Sequence, residues 1–445
     1  MRSLAERLER HFAKLGTIGV QPDGSISRIA YSDEESAAMA YVRAQGEAFG
    51  LEGTYDPVGN LILRSPGNAG PRILAGSHLD SVPHGGNYDG AAGVIAGLEA
   101  LRTLIEEADG IGGAIDLIVW RGEEYTFNAV YKGSAAAFGK AEPHILHNVY
   151  RDLSLRDAIL RQRFDPTHID EGRPSLEQGY IDSIAGYLEL HIEQGARLEA
   201  EKKDVGVVTS IAGDRRYLVV IEGTFDHSGA TPMGTRHRRD VNLAMAYMQT
   251  GIDELASRHR EEGHEFTQTV GIVNADPEID RKHPAVHNNS VTKVSGLGYF
   301  TLDIMGADDE FLDRYSAEVH RLVWNTGRRF RVHANIELTD SSAGVGSLDP
   351  VLQDCLEDSA RQRNHSWIRM PSGAGHDAAV VAGATRSDGS AIPVGMLFVP
   401  CRHGISHSSE EFVDSGQLAK GTEVLCDALR ALGTARDRTE DPEER

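Results

Sequence analysis

Five residues able to ligate a metal stand at or just beyond short apolar runs: His78, Asp89, Glu124, His191 and His407. Imidazole suits zinc, manganese, cobalt and nickel, and one carboxylate can bridge two such ions. A bridged pair polarises an amide carbonyl and lowers the pKa of a bound water from about 15.7 to about 7. The attack still needs a base. Glu123 sits directly before Glu124, and adjacent carboxylates at a turn can divide the work of base and ligand. Asp80, two residues after His78, is placed to orient that imidazole through its second ring nitrogen. Each residue alone has a plainer reading: a strand-end hydrogen bond for His78 and Asp80, a helix cap for Asp89, a solvated loop for Glu123 and Glu124. Their recurrence at successive strand ends decides for metal chemistry.

The elements that must position them follow from the apolar pattern. Ile73-Leu74-Ala75 is short and apolar enough for a buried parallel strand. It leads into GSHLDSVPHGGNYDGAAGV, whose glycines allow sharp turns before an apolar helix from Ala91 to about Leu104. Ile115 to Trp120 is a second strand, ending in Arg121-Gly122-Glu123-Glu124. A third, Tyr187 to Leu190, delivers His191, and Met396 to Val399 leads towards His407. Ligands of open parallel sheets bind at the carboxyl ends of strands. Leu4, Leu8, Phe12 and Leu15 predict an opening amphipathic helix, and Ser32 to Glu35 starts a second with Met39, Val42 and Phe49 inward.

After residue 212 the pattern changes. Strands at Tyr217 to Gly223, Thr267 to Val273 and Gly298 to Met305 alternate with helices at Val241 to Leu255 and Asp309 to Val323, as in a small α+β layer. The expected organisation is a catalytic α/β domain, residues 1–212 and 328–435, with an inserted α+β domain at 213–327 and a charged, disordered tail at 436–445. The catalytic domain is expected to hold a mixed, largely parallel sheet flanked by helices.

A chain of 445 residues can build two cored domains. Its formal charge of -22 argues against nucleic acid or an anionic membrane as partner. Three cysteines, Cys355, Cys401 and Cys426, lack metal-type spacing and fit a reducing cytoplasm. The first residues lack a signal-peptide apolar core, and no stretch reaches membrane-spanning length.

GSHLDSVPHGGNYDGAAGV, Glu123-Glu124, LELHIEQGARLE, DHSGATPM, SGAGHDA and GISHSSEE occur in one order along residues 4 to 430. In these motifs the chain resembles the dinuclear metal amidohydrolases of the aminoacylase and carboxypeptidase type. HIEQG aligns it with the carbamoylase branch: N-carbamoyl-L-amino acid amidohydrolase, β-ureidopropionase and allantoate amidohydrolase. The resemblance implies two divalent ions per subunit, zinc, manganese, cobalt or nickel. His78, Asp89 and His191 would hold one, and Asp89, Glu124 and His407 the other, with Glu123 as base. It also implies that the inserted domain is a lid that forms a homodimer. His227 would reach the partner subunit's site to hold the developing oxyanion, and Gln194, Asn289 and His376 would contact a small amide or ureido substrate.

Three departures bear on substrate. Asp303-Ile304-Met305 stands where the family usually has Asp-x-Arg, whose arginine pairs with a substrate carboxylate. The segment after Met233, GTRHRRD, is longer than the family's. The arginine usual after the paired glutamates is absent from Tyr125-Thr126-Phe127-Asn128. The expected activity is hydrolysis of a linear amide C–N bond, most like a ureido bond, by a metal-bound hydroxide. An aminoacylase or dipeptidase acting on an acyl amide is the alternative, or an amidohydrolase whose substrate lacks the α-carboxylate. A non-catalytic metal-stabilised binding protein predicts a lost ligand or base, and all six are present.

Overall fold

The computed structural model describes residues 3–65, 70–107 and 114–437. They form two units: the described residues of 3–210, 347–372 and 376–437 in the first, and 211–346 with 373–375 in the second.

The first unit is built on an eight-stranded sheet in the order Glu52–Tyr55, Leu61–Arg64, Ala114–Trp120, Arg72–His78, Ile184–Ile192, Val394–Val399, Val205–Ile211, Trp367–Ser372. The four central strands, from Ala114–Trp120 to Val394–Val399, are mutually parallel, and the neighbours outside them pair antiparallel. Every residue of Ala114–Trp120 and Ile184–Ile192 is buried, as a strand covered on both faces requires. Helix Ala91–Glu106 carries an unbroken buried run from Ala91 to Leu101 and packs beside the final helix Ser415–Asp437. The opening helix Leu4–Leu15 starts on a capping box at Ser3 and Glu6 and buries Leu8, Phe12 and Leu15 in the same core. The sheet and its helices are the mixed, largely parallel α/β architecture that the apolar runs predict.

The second unit is a four-stranded antiparallel sheet in the order Thr267–Thr269, Leu297–Gly306, Gly213–Glu222, His333–Ser342. Helices Val241–Glu261 and Asp309–Phe330 bury Met248, Ile252, Phe311 and Tyr315 against Val219, Ile221, Phe300 and Leu302.

Three expectations are corrected here. The inserted unit does not end at 327. Strand His333–Ser342 pairs along Gly213–Glu222 and belongs to the second sheet. Its burial pattern is mostly exposed, so it lacks the apolar run that would have marked it as a strand of that layer. The strand expected over 267–273 is shorter, Thr267–Thr269, followed by a single bridge from Val273 to Phe300. The last helix runs to Asp437, so residues 436 and 437 are helical. The rest of the expected tail, 438–445, lies outside the described residues.

Candidate metal centre

The four parallel strands run the same way, so their carboxyl ends share one edge of the sheet, where open α/β sheets bind ligands. Arg72–His78 ends on His78. Ala114–Trp120 passes through Arg121 and Gly122 into Glu123 and Glu124, and Val394–Val399 leads on to His407. His191 lies within Ile184–Ile192, one residue from its end, where it pairs in register with Phe398. Asp89 comes from the turn before helix Ala91–Glu106. That turn needs Gly90, which sits at φ 62°, and a Cβ there would lie 2.4 Å from the His78 ring.

The expected ligands converge in two groups that share Asp89: His78, Asp89 and His191, and Asp89, Glu124 and His407. The two oxygens of Asp89 divide between them. Oδ1 lies 3.1 Å from His191 Nε2 and 3.8 Å from His78 Nε2. Oδ2 lies 3.2 Å from His407 Nε2, which is also 3.4 Å from Glu124 Oε1. Glu123 Oε2 is 3.7 Å from His78 Nε2. Asp80 Oδ1 lies 3.3 Å from His78 Nδ1, and its two oxygens accept the backbone N–H groups of Glu123 and Glu124 at 3.0 and 3.1 Å. One carboxylate thus orients the imidazole two residues before it and fixes the turn at the end of the neighbouring strand.

Gln194 and His376 are also drawn to this edge. Gln194 Nε2 donates to Asp89 Oδ2 at 2.7 Å, and its buried Oε1 has no hydrogen-bond partner. His376 is buried, edge-on to His191 with ring centres 4.5 Å apart, and its Nε2 lies 2.8 Å from Ser372 Oγ.

Several supporting residues were given no role by the sequence, although Ser406 and Glu411 lie within GISHSSEE. Glu411 is buried and accepts from the backbone N–H of Tyr88 and Asp89 and from Ser406 Oγ. Ser406 Oγ lies 2.8 Å from Asp89 Oδ2. Gly86 makes room for Glu411, whose carboxyl carbon would stand 2.1 Å from a Cβ there. Lys132 is buried and donates to the carbonyls of Gly122 and Glu124. Arg121 and Glu35 form a buried ion pair at 2.8 Å, and Glu35 also accepts from Gly122 N. Glu189 lies near His191 and His376 but already accepts from Ser77 Oγ, Tyr187 Oη and Ala378 N. The contacts of Glu411 with Tyr88, of Glu35 with Gly122 and of Glu189 with Ala378 span 323, 87 and 189 positions of sequence, beyond the reach of any local motif.

The electrostatics follow from the burial. Burial pushes the Glu123 carboxyl well above its ordinary range; His78 pulls it down and Glu124 pushes it further up. Glu124 is pushed up to about 7 by burial, against the pull of His407. Burial also disfavours charge on Asp89, but His191 and His407 overcome it and hold the group well below the usual carboxylate range. His376 is pushed well below its ordinary value, chiefly by burial and then by His191, which keeps it neutral. Asp80, Asp89, Glu123 and Glu124 are buried together, and Glu124 Oε1 has no hydrogen-bond partner. Such a concentration of buried carboxylate is costly unless a cation meets it. Imidazole and carboxylate donors on hand fit a divalent transition ion.

In the second unit, His227 lies on a short exposed strand, Asp226–His227, opposite Lys293. Its Nδ1 accepts the N–H groups of Gly229 and Ala230, each at 3.0 Å, which leaves the proton of the neutral ring on Nε2. Asn289 Nδ2 donates to Leu297 O, while its buried Oδ1 has no hydrogen-bond partner. Met305 pairs in register with Asp214 on one side and Thr267 on the other.

A parallel sheet carrying paired His and carboxylate sets at its carboxyl edge defines the class of metal-dependent hydrolases. The profile of peptidase family M20/M25/M40 matches residues 74–431, and the chain belongs to that family. It is 33% identical over 427 residues to the allantoate amidohydrolase of Bacillus subtilis (strain 168), covering 94% of this chain and 95% of that one. It is 31% identical to the N-carbamoyl-L-amino-acid amidohydrolase of Paenarthrobacter aurescens, covering 97% and 98%. Among solved structures, the hydantoinase/carbamoylase family amidase of Burkholderia multivorans superposes with a TM-score of 0.77 at 27% identity, covering 97% and 98% of the two chains.

Proposed function

We propose that this chain is a metal-dependent hydrolase of linear amide C–N bonds, and specifically an N-carbamoyl (ureido) amidohydrolase. The division of the two Asp89 oxygens between two histidine-bearing groups is the observation that supports it most directly. The allantoate and N-carbamoyl amino acid amidohydrolases among its relatives support the bond class.

His78, Asp89 and His191 would hold one divalent ion, and Asp89, Glu124 and His407 a second; zinc, manganese, cobalt and nickel all suit the donors. Bound there, the ions would polarise the scissile carbonyl and acidify water. Glu123 takes the proton from the attacking water and passes it to the leaving nitrogen, a task suited to a carboxyl that burial holds above its ordinary range. Asp80 holds the turn that aims Glu123. His227 offers Nε2–H to the developing oxyanion in the partner subunit's site of a homodimer. Gln194 and Asn289 present open amide oxygens to substrate N–H groups, and neutral His376 supplies a further contact. Among the described residues no helix is long and apolar enough to cross a membrane. The free cysteines fit a cytoplasmic enzyme.

The test is to strip the protein with chelator, reload it with manganese, cobalt, nickel or zinc in turn, and offer ureido and acyl substrates side by side. Ammonia release from carbamoyl compounds is the expected outcome. Preferential release of amino acids from acyl compounds would instead establish the aminoacylase reading.

Met305 favours a second reading of the substrate. Methionine has no donor for a carboxylate, and the residue facing it in register is Asp214. Arg216, on the strand beside it, is already within ion-pair distance of Asp214, Asp303 and Asp340. Arg402 lies over the Phe412 ring at 3.8 Å, and Lys293 Nζ bonds Asn288 O. A substrate with a neutral or apolar group in place of the usual α-carboxylate fits these surroundings. N-carbamoyl amino acids should then be hydrolysed no better than their neutral amides by wild type, and Met305→Arg should gain on the free carboxylates. Wild-type preference for carboxylates with no gain in the variant would reject this reading.

A further inference from the structure

The helix Val241–Glu261 ends on a cap whose side chains gather away from the residues assigned above. Gly263 takes φ +94°, and its N–H bonds Arg260 O at 3.0 Å while His264 N bonds His259 O at 3.1 Å. This paired pattern closes a helix with a left-handed residue, and it brings side chains before and after the glycine onto one side. Here those side chains are His259, Glu262 and His264, whose ligand atoms all lie within 4.8 Å of one another.

The rings are held before any ion arrives. His264 stacks on Phe311 at 4.2 Å and 21°, and His259 stands edge-on to Phe311 and Tyr315 at 5.5 and 5.4 Å. His259 Nε2 lies 3.3 Å from Glu318 Oε2 on helix Asp309–Phe330. Its other nitrogen, Nδ1, is buried without a hydrogen-bond partner and faces Glu262 Oε2 at 3.2 Å. A carboxylate on one ring nitrogen and an open acceptor on the other is the arrangement that orients metal-ligating histidines. Glu262 is 64% exposed, free to swing in and close the site.

We infer that His259 Nδ1, Glu262 and His264 form an accessory binding site for a divalent transition ion, zinc, nickel or cobalt, with water completing the shell. Two imidazoles and one carboxylate are the donor set of known three-ligand zinc sites, with bonds of about 2.0–2.2 Å. Glu318 positions His259 and does not touch the ion. The site is independent of the hydrolytic reading, because no residue is common to the two.

The experiment equilibrates chelator-stripped full-length chain with zinc chloride at matched free zinc and counts bound equivalents by mass spectrometry. Wild type should hold one equivalent more than a Glu262→Gln/His264→Ala variant, whatever the count elsewhere in the chain, and hydrolytic turnover should be equal in the two. Glu318→Gln should keep the equivalent at saturation but bind it about 10–100-fold more weakly. Should the double variant be poorly folded by circular dichroism, Glu262→Gln alone supplies the comparison, since its side chain is largely solvent-exposed. Equal zinc content in wild type and in the variants lacking Glu262 would overturn the inference, as would a zinc affinity unmoved by Glu318→Gln. An ion pair of His259 with Glu262 and Glu318 would then be the whole role of the cluster.

Discussion

Glu411 Oε1 accepts the backbone N–H of Asp89 at 3.0 Å across 322 positions of sequence. Through Ser406 the same carboxylate reaches the loop that carries His407. The two loops that carry the proposed ligands Asp89 and His407 are thus tied at one buried group. Glu411→Ala should weaken metal binding by about 10–100-fold, the usual cost of losing an outer partner of the ligands. Glu411→Gln keeps an acceptor oxygen for the two N–H groups and should lose less. Titration of stripped protein with zinc reads both; equal affinity in all three proteins would remove Glu411 from this role.

Asp89→Ala should lose both catalytic ions, because one oxygen serves each group. Chelation of wild type should abolish turnover, and divalent metal should restore it. Metal counting by mass spectrometry is the check, and a full complement with full turnover in the variant would break the dinuclear assignment.

Glu123→Gln should keep the fold and the ions but lose the base. General bases contribute about 10²–10⁴-fold, so turnover should fall at least that far with metal content unchanged. A loss below about tenfold would place the base elsewhere.

His227→Ala should cost about 10²–10³-fold in turnover, as removal of an oxyanion donor does. Action across a dimer makes a sharper prediction. Mixed with inactive Glu123→Gln under conditions where subunits exchange, it should regain activity, because one site of each mixed dimer would have both residues. Proven exchange without recovery would confine His227 to its own subunit or to no site.

Asp214 is pushed up to about 6, chiefly by burial, with Arg216 opposing. A carboxyl raised on folding binds more protons in the native state than in the unfolded chain between about pH 4 and 6. Stability therefore falls as pH rises through that window and stays lower above it. Asp214→Asn removes the titration and should stabilise the protein by about 1–3 kcal/mol at pH 7.5, with no gain near pH 4. Urea unfolding at the two pH values checks it; an equal effect at both would mean that burial of charge is not the cause.

The convergence of the candidate ligands was legible because parallel strands are short, apolar and buried on both faces, and a sheet of them lines its ends along one edge. His78, Glu124 and His191 each follow from that rule, and the glycines before Ala91 marked the turn bearing Asp89. Tertiary structure alone decided which oxygen of Asp89 faces which histidine, since that depends on rotamers fixed by packing. It alone brought Glu411, Lys132, Glu35 and Arg121 under the loops, because buried polar groups find partners by proximity in space and leave no periodic trace in the chain. It also moved strand His333–Ser342 to the second sheet. Edge pairing satisfies that strand through its backbone hydrogen bonds, with its side chains largely in solvent, so no apolar alternation marked its place.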